Sequence, residues 1–383
     1  MSRLSRCFNI DDLRLAAKCR LPRGLFEYVD RGSEGEVSLR ENRAGFDRIR
    51  MRPRVLEDVS GRTLETTLFG KVQSMPMAIA PMSPAGLLWH EGELALARAA
   101  AASGIPYTLP TESMTVLERI ASEAGGRLWF QLYLWENRDY SYALLERVER
   151  AGFEALIVTV DTNVAPNREY NARNGFAMPI RPSLRAGLDM LCHPRWLLRV
   201  MACYVLASGM PLVANHPEAY RHAIFRDPPD NATRINSTMT WEDIRVLRRK
   251  WPRTLMVKGI LRADDAVKAV DAGADAVVVS NHGARNFDSA VASIDALPAI
   301  ADAIGHRATI LLDSGVRRGS DVAKALALGA KAVLVGRPAL YGIATAGEAG
   351  ARHALALLRA ELDKVMAYAG CRDVGGIDRD LLA

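Results

Sequence analysis

From residue 75 onward the chain alternates short apolar runs with alanine-rich stretches of helical length, and eight such runs can be counted. The candidate strands are Met77 to Ala80, Tyr107 to Leu109, Leu128 to Tyr133, Ala155 to Val160, Leu255 to Val257, Ala276 to Val279, Thr309 to Leu312 and Ala332 to Val335. Between them lie helix-length segments such as Gly92 to Ser103, Ser141 to Ala151, Arg262 to Ala272, Ile294 to Ile304 and Ser320 to Leu328. A strand buried on both faces reads as an unbroken apolar run, and strand-helix alternation stacks such strands into a parallel sheet, open or closed. Eight units favour a closed (β/α)8 TIM barrel. The 383 residues exceed one usual domain, yet such barrels run to about 250 residues or more as a single unit.

The runs share a second property: nearly all end in a residue with chemistry. In order these ends are Pro81 to Ser83, Thr111, Gln131 with Tyr133, Thr159 with Asp161, Lys258, Asn281 with His282, Asp313, and Gly336 with Arg337. In a barrel the C-terminal strand ends meet at one mouth, where active sites are built from distant parts of the chain. One polar strand end would mean little; eight in register point to a site.

Two regions fall outside the alternation. Residues 1–70 read as an N-terminal helical cap and connector, leaving 71–383 for the barrel. About 176–237 forms an insertion after strand four, too long for an ordinary connection. Apolar and charged fractions of 49% and 25% are those of a soluble globular chain. The net charge is +6, but the arginines are scattered and not interleaved with aromatics, which argues against nucleic-acid binding. Cys7, Cys19, Cys192, Cys203 and Cys371 are widely spaced and form no metal-ligand pattern, so a reducing interior compartment and a metal-free site are expected. The N-terminus has no apolar core of signal-peptide length, so a cytoplasmic location is expected.

The densest chemistry lies in Ser280-Asn281-His282-Gly283-Ala284-Arg285-Asn286-Phe287-Asp288. A histidine and an arginine three residues apart at a strand exit put a base beside a fixed cation, which suits proton abstraction from an anionic substrate. After strand seven comes Asp313-Ser314-Gly315-Val316-Arg317-Arg318-Gly319, and after strand eight Gly336-Arg337-Pro338. Glycines let backbone approach an anion and helix N-termini point N–H groups at it, so these loops suit a phosphate. Lys258 fits a Schiff-base lysine, an ion-pair partner or a charge stabiliser near a cofactor. Asp161 fits a helix N-cap or the acid that orients a histidine. His90, His193 and His306 are given no role.

These motifs, with Val257-Lys258-Gly259 and Gln131-Leu132-Tyr133, resemble the FMN-dependent L-2-hydroxy acid dehydrogenases and oxidases over about Phe8 to Leu382. His193-Pro194-Arg195-Trp196, Gly209-Met210-Pro211 and Leu340-Tyr341-Gly342 are similar to the mandelate and lactate dehydrogenase branch. The resemblance implies His282 as base, with Asp161 stabilising its imidazolium. It implies Arg285, Arg168 and Tyr28 on the substrate carboxylate, Tyr133 on the hydroxyl, and Lys258 beside the flavin N1 and O2. Ala80, Pro81, Met82, Ser83, Thr111, Gln131, Thr159 and Ser280 would hold the flavin ring. Asp313 would meet the ribityl chain, and Gly315, Arg317, Gly336 and Arg337 the phosphate. Pro110, Asn286 and Ser83 depart from the residues usual in that family, namely Ser, Gln, and Gly or Ala. Pro166-Asn167 before Arg168 lies in a loop that differs among its members.

The expected activity is FMN-dependent oxidation of a mandelate- or lactate-like L-2-hydroxy acid, with electrons passed to a quinone-like acceptor. The alternatives are an oxygen-using oxidase, an FMN barrel isomerase and a non-redox barrel that binds a phosphate ligand. Within the insertion, Trp196 to Val213 carries one charge, Arg199, and is flanked by Arg185, Arg195, Arg221 and Arg226. It reads either as a lid or as an interfacial segment that lies on a membrane, since a spanning helix needs roughly 20 apolar residues. The resemblance favours peripheral attachment through about 177–226, on the cytoplasmic face of the inner membrane, and a homo-oligomer, a tetramer in related enzymes.

Overall fold

The structure is a computed structural model that describes residues 4–176, 180, 184–207, 209–223 and 226–383. Eight parallel strands form its centre: β1 (Met77–Ile79), β2 (Tyr107–Pro110), β3 (Leu128–Leu132), β4 (Ala155–Thr159), β5 (Thr254–Ile260), β6 (Ala276–Val279), β7 (Thr309–Leu312) and β8 (Ala332–Val335). Each pairs with the next, and β8 returns to β1 through Val333 opposite Met77 and Val335 opposite Ile79, which closes the barrel. The eightfold alternation is thus a (β/α)8 barrel. Tyr133 and Val160 lie just past their ladders, not in them. The fifth strand is longer than its apolar run, because Gly259 at φ +109° carries the chain through a register shift and pairing resumes at Ile260.

Strand residues alternate between two cores, as the period of two requires. Ile79, Leu109, Phe130, Val158 and Val257 join the core under the helices. Trp129, Ile157, Met256, Val278 and Leu311 fill the barrel interior. Two residues further along the same inward rows stand Gln131, Thr159, Lys258, Ser280 and Asp313, all buried. Each strand therefore carries packing at its base and chemistry at its top. Exchanging Met256 for lysine would bury an unpaired charge in the packing layer, at a cost of several kcal/mol.

The lower end is closed. A hairpin of Thr66–Leu68 with Lys71–Gln73 lies across it, its Leu68 joins the interior core, and Phe69 meets Trp129 edge-on at 5.8 Å. Three helices precede it: Ile10–Lys18, capped by the Asn9 side chain on the Asp12 N–H, Arg23–Asp30 and Val37–Arg48. The second is fixed by Asp30, which takes both Arg14 nitrogens at 2.6 Å and the Tyr341 hydroxyl at 2.6 Å. That anchoring holds Tyr28 over the upper mouth.

The insertion contributes a helix at Leu184–Leu191 and a helical run from Pro194 to Ala207 with a π-helical turn at Leu197–Met201. Trp196, Val200 and Tyr204, spaced by four, are buried against the barrel, and the Trp196 indole donates to the Leu87 carbonyl at 2.7 Å. Leu184, Leu188, Leu191, Leu198, Val205 and Leu206 are exposed. Among the described residues no helix is long and apolar enough to cross a membrane. Arg185, whose side chain is not described, lies in the first of these helices.

Candidate active site

The strand tops meet around His282. Its residue sits in the left-handed region at φ +57°, and its N–H donates to Ser280 Oγ at 3.0 Å. The turn aims the imidazole across the mouth, where Nδ1 lies 2.8 Å from Asp161 Oδ1 and Nε2 lies 3.5 Å from the Tyr133 hydroxyl. Asp161 is therefore the histidine's partner and not a helix cap; the next helix, Glu169–Asn174, begins behind Arg168. Burial and the Lys258 charge hold His282 below its ordinary value, against the opposing pull of Asp161. Burial pushes the Asp161 carboxyl up, but His282 and Lys258 together bring it below the usual carboxylate range. The pair is thus a neutral imidazole on a carboxylate, with Nε2 left as the open lone pair.

Lys258 donates to Ser280 Oγ at 2.9 Å and lies 3.1 Å from Asp313 Oδ2, 3% exposed. Burial would lower its pKa, yet Asp313 and Asp161 outweigh it and keep the ammonium charged. A Schiff-base role needs a neutral amine, which this charged ammonium is not; of the three alternatives the geometry displays the ion pair with Asp313, and a charged amine at this strand top is compatible with the charge-stabilising role as well. Asp313 Oδ1 also accepts from Ser314 at 2.8 Å.

Two guanidinium groups flank one ring. Arg285 lies 4.8 Å and Arg168 5.8 Å from the Tyr28 centroid. Arg285 Nη1 donates to the Tyr28 carbonyl at 2.5 Å, and Arg168 Nε to the Arg285 carbonyl at 3.0 Å. Burial and the neighbouring Arg285 push Arg168 down. Burial would raise the Tyr28 phenol, but the two cations bring it below its ordinary value. Such a pair of half-buried like charges calls for an anion between them.

Asn286 Nδ2 donates to the Asp161 carbonyl at 2.8 Å and to Thr162 Oγ1 at 2.9 Å, while its Oδ1 lies 3.5 Å from Arg168. It thereby ties the base to the clamp, a link that its identity alone did not reveal. Thr162, adjacent to Asp161, touches both Asp161 Oδ1 and His282 Nδ1. A reciprocal amide pair, Asn42 with Asn281, fixes the start of the His282 turn at 2.8 and 2.9 Å. Asn42 sits 239 residues from its partner, and no sequence signal marks it.

The ring-holding candidates stand at the tops of β1 to β4, with Ser280 after β6. Thr111 Oγ1 donates to the Gln131 carbonyl and accepts from the Tyr133 N–H. Ala80 to Ser83 continue β1 upward from the Ala80 N–H on the Val335 carbonyl. Gln131 Nε2 is buried with no partner, which leaves a donor for a polar ring. A cavity of about 870 Å³ opens between the N-terminal helices and the loops after β7 and β8, with Arg31, Asn42, Gly315, Arg317 and Arg337 in its walls. A Cβ on Gly315 would lie 2.4 Å from the Asn42 carbonyl oxygen, so glycine is demanded there by a close helix. Arg337 Nε, Nη1 and Nη2 each donate once, to the carbonyls of Val29, Gly283 and Arg31 at 2.9 Å, which leaves two of its five N–H groups, and burial lowers it to about 10. Arg317 Nη1 donates to the Val316 carbonyl. The Arg337 side chain thus braces the His282 turn, and Gly336 before it is the N-cap of the helix that follows β8.

The spent and unspent donors fit FMN: a buried amide for a ring, an ammonium for a ring anion, and a basic cavity with a helix N-terminus for a phosphate. The family model of FMN-dependent dehydrogenases matches residues 17–383. (S)-mandelate dehydrogenase of Pseudomonas putida is 39% identical over 375 residues, covering 98% of this chain and 93% of that protein. L-lactate oxidase of a Nostoc species is 41% identical over 387 residues, covering 100% of both. A solved structure described as monotopic membrane protein (S)-mandelate dehydrogenase superposes with a TM-score of 0.90 at 38% identity, covering 99% of each chain. The chain belongs to the FMN-dependent dehydrogenase family, as one of its 2-hydroxy acid oxidoreductases.

Proposed function

We propose that the chain oxidises a mandelate- or lactate-like L-2-hydroxy acid to the 2-oxo acid and passes the electrons to a quinone-like acceptor at a membrane. The observation that carries this reading is the placement of His282 between Asp161 and Tyr133, beside two guanidinium groups on the Tyr28 ring. Arg285, Arg168 and Tyr28 bind the carboxylate and fix Cα, which supplies orientation before any bond changes. Tyr133 holds the hydroxyl, and His282 Nε2 takes a substrate proton while Asp161 stabilises the resulting imidazolium.

FMN, when bound, supplies the electron sink. Ala80 to Ser83, Thr111, Gln131, Thr159 and Ser280 would hold its ring, and Lys258 would offset negative charge on it. Asp313 would meet the ribityl chain. The backbone at Gly315, Gly336 and Arg337, with the Arg317 cation, would meet the phosphate.

The membrane reading rests on the insertion's two faces: one packs on the barrel, and the other exposes leucines at positions 184, 188, 191, 198 and 206. Exposed apolar side chains on helices that also carry arginines suit a monotopic segment, which would bring a lipid-soluble acceptor within reach. The mandelate dehydrogenase with the 0.90 TM-score is itself described as monotopic. We extend the proposal to the cytoplasmic face and to a homo-oligomer. The 41% identity to an L-lactate oxidase supports a second reading, in which oxygen is the acceptor.

The test is anaerobic flavin bleaching with L-2-hydroxy acids, followed by reoxidation with either oxygen or a short-chain quinone. His282→Ala should retain FMN and lose bleaching. Unchanged bleaching in that variant would refute the base assignment.

A further inference from the structure

Outside the site just described lies a second histidine-carboxylate pair. His216 is 3% exposed, and its Nε2 lies 3.1 Å from both carboxylate oxygens of Glu112. Its ring meets Trp135 edge-on at 4.8 Å, and its Nδ1 is buried without a partner. Glu112 follows Thr111 at the top of β2, and a third of its side chain, 32%, is open at the mouth.

The pair is not needed to seat the insertion on the barrel. That segment is already tied down by Ala214 N–H on the Ser113 carbonyl, Leu117 N–H on Asn215 Oδ1 and Arg147 on the Asn215 carbonyl. Nor do two side chains make a metal centre: among the described residues no group of three or more histidine, cysteine, aspartate or glutamate residues could hold an ion. What the pair adds is an oriented carboxylate facing open space.

Its position defines what it faces. In a closed barrel of eight strands the second and the sixth stand opposite each other, so Glu112 after β2 looks across at His282 and Arg285 after β6. Tyr133, after β3, lies between them. Its hydroxyl is 3.5 Å from His282 Nε2, and the Glu112 charge is among those that push its phenol up, behind burial and Asp161. A 2-hydroxy acid held by its carboxylate at Arg285 and Arg168 and by its hydroxyl at His282 and Tyr133 has one large substituent left on Cα. Tetrahedral geometry keeps that substituent off the carboxylate and hydroxyl directions, and with His282 and Arg285 after β6 the space opposite them is on the β2 side.

We propose that Glu112, held in place by His216, contacts the substrate side chain and selects L-2-hydroxy acids whose side chain ends in a hydrogen-bond donor over those ending in a methyl group or a carboxylate. This assignment rests on the 2-hydroxy acid reading above and names the substrate class within it. The physical basis is asymmetric. An apolar terminus laid on a carboxylate strips its water without replacing the hydrogen bond, a second carboxylate adds repulsion, and a donor restores what was lost. Glu112 is the contact residue. His216 is a positioning residue that acts through it.

The experiment uses the FMN-loaded full chain and a matched panel: L-2-hydroxy acids with straight side chains of two to four carbons ending in methyl, ammonium or carboxylate. Anaerobic flavin reduction gives kcat/KM for each. The wild type should prefer ammonium over methyl over carboxylate. Glu112→Gln should shrink the ammonium-to-carboxylate ratio by about tenfold or more, chiefly through KM. His216→Ala should shrink it in the same direction, and His216→Gln, which keeps a donor toward Glu112, should recover part of it.

A purely structural pair would lower FMN retention or thermal stability and leave the ratio unmoved, and that result in both Glu112→Gln and His216→Ala overturns the proposal. A wild type that bleaches with methyl-ended acids but shows no charge preference overturns it while leaving the 2-hydroxy acid function standing. Failure of every 2-hydroxy acid to bleach the flavin removes both.

Discussion

A Cβ on Gly259 would fall 2.6 Å from the Cβ of Asp161. Glycine at this point of β5 thus does two things: at φ +109° it takes a conformation that side chains rarely adopt, and it leaves the space that the acid of the base pair occupies. Gly259→Ala should displace Asp161 and cost roughly 1–3 kcal/mol in backbone strain. We expect flavin reduction to slow by about a hundredfold with FMN still bound, measured by stopped-flow bleaching beside the flavin spectrum. Wild-type rates would show that Asp161 needs no such space.

The pH dependence of flavin reduction follows from His282. The imidazole must be neutral to accept a proton, and burial with Lys258 places its pKa below the ordinary 6.5. The acid limb of kcat/KM should therefore fall below pH 6.5. Asp161 raises the His282 pKa, so Asp161→Asn should move the limb further down while lowering the plateau by about a hundredfold or more. A limb that moves upward in this variant would contradict the pairing.

Lys258 and Asp313 are a buried ion pair, 3% and 7% exposed. Removing one member leaves the other charge uncompensated, at about 3–5 kcal/mol. Lys258→Met should lower the thermal midpoint in the FMN-free protein, and the double variant with Asp313→Asn should regain most of the loss. Additive losses would show that the two groups do not depend on each other.

Leu188 and Leu206 stand 65% and 87% exposed on the outer face of the insertion. If that face enters a bilayer, each buried methylene contributes about 0.8 kcal/mol. Leu188→Glu with Leu206→Glu should then reduce co-sedimentation with anionic vesicles by more than about tenfold. Equal sedimentation of variant and wild type would remove the membrane role.

Much of this architecture was legible because barrel strands are short, apolar on both faces and separated by helices, so each leaves a discrete mark. The strand tops were legible for the same reason: Gln131, Thr159, Lys258 and Asp313 are where an apolar row turns polar. Four matters were not. Asn42 and Asn281 lie far apart in the chain and carry no pattern of their own. Glu112 and His216 are 104 residues apart, and the histidine sits in an insertion without regular alternation. The carbonyls of Val29, Gly283 and Arg31 that accept from Arg337 belong to loops brought near it only by folding, so its bracing role left no mark in the sequence. The two faces of the insertion were hidden as well, since Trp196, Val200 and Tyr204 turn inward only once Leu87 and His90 are there to meet them.

The hairpin beneath the barrel has a kinetic corollary. With Leu68 and Phe69 closing the base against Trp129, the upper mouth is, among the described residues, the doorway that a reductant and an oxidant would share. The 2-oxo product must clear that doorway before the acceptor can approach by the same route, so the two half-reactions take turns, and initial-rate plots against both reactants should give parallel lines.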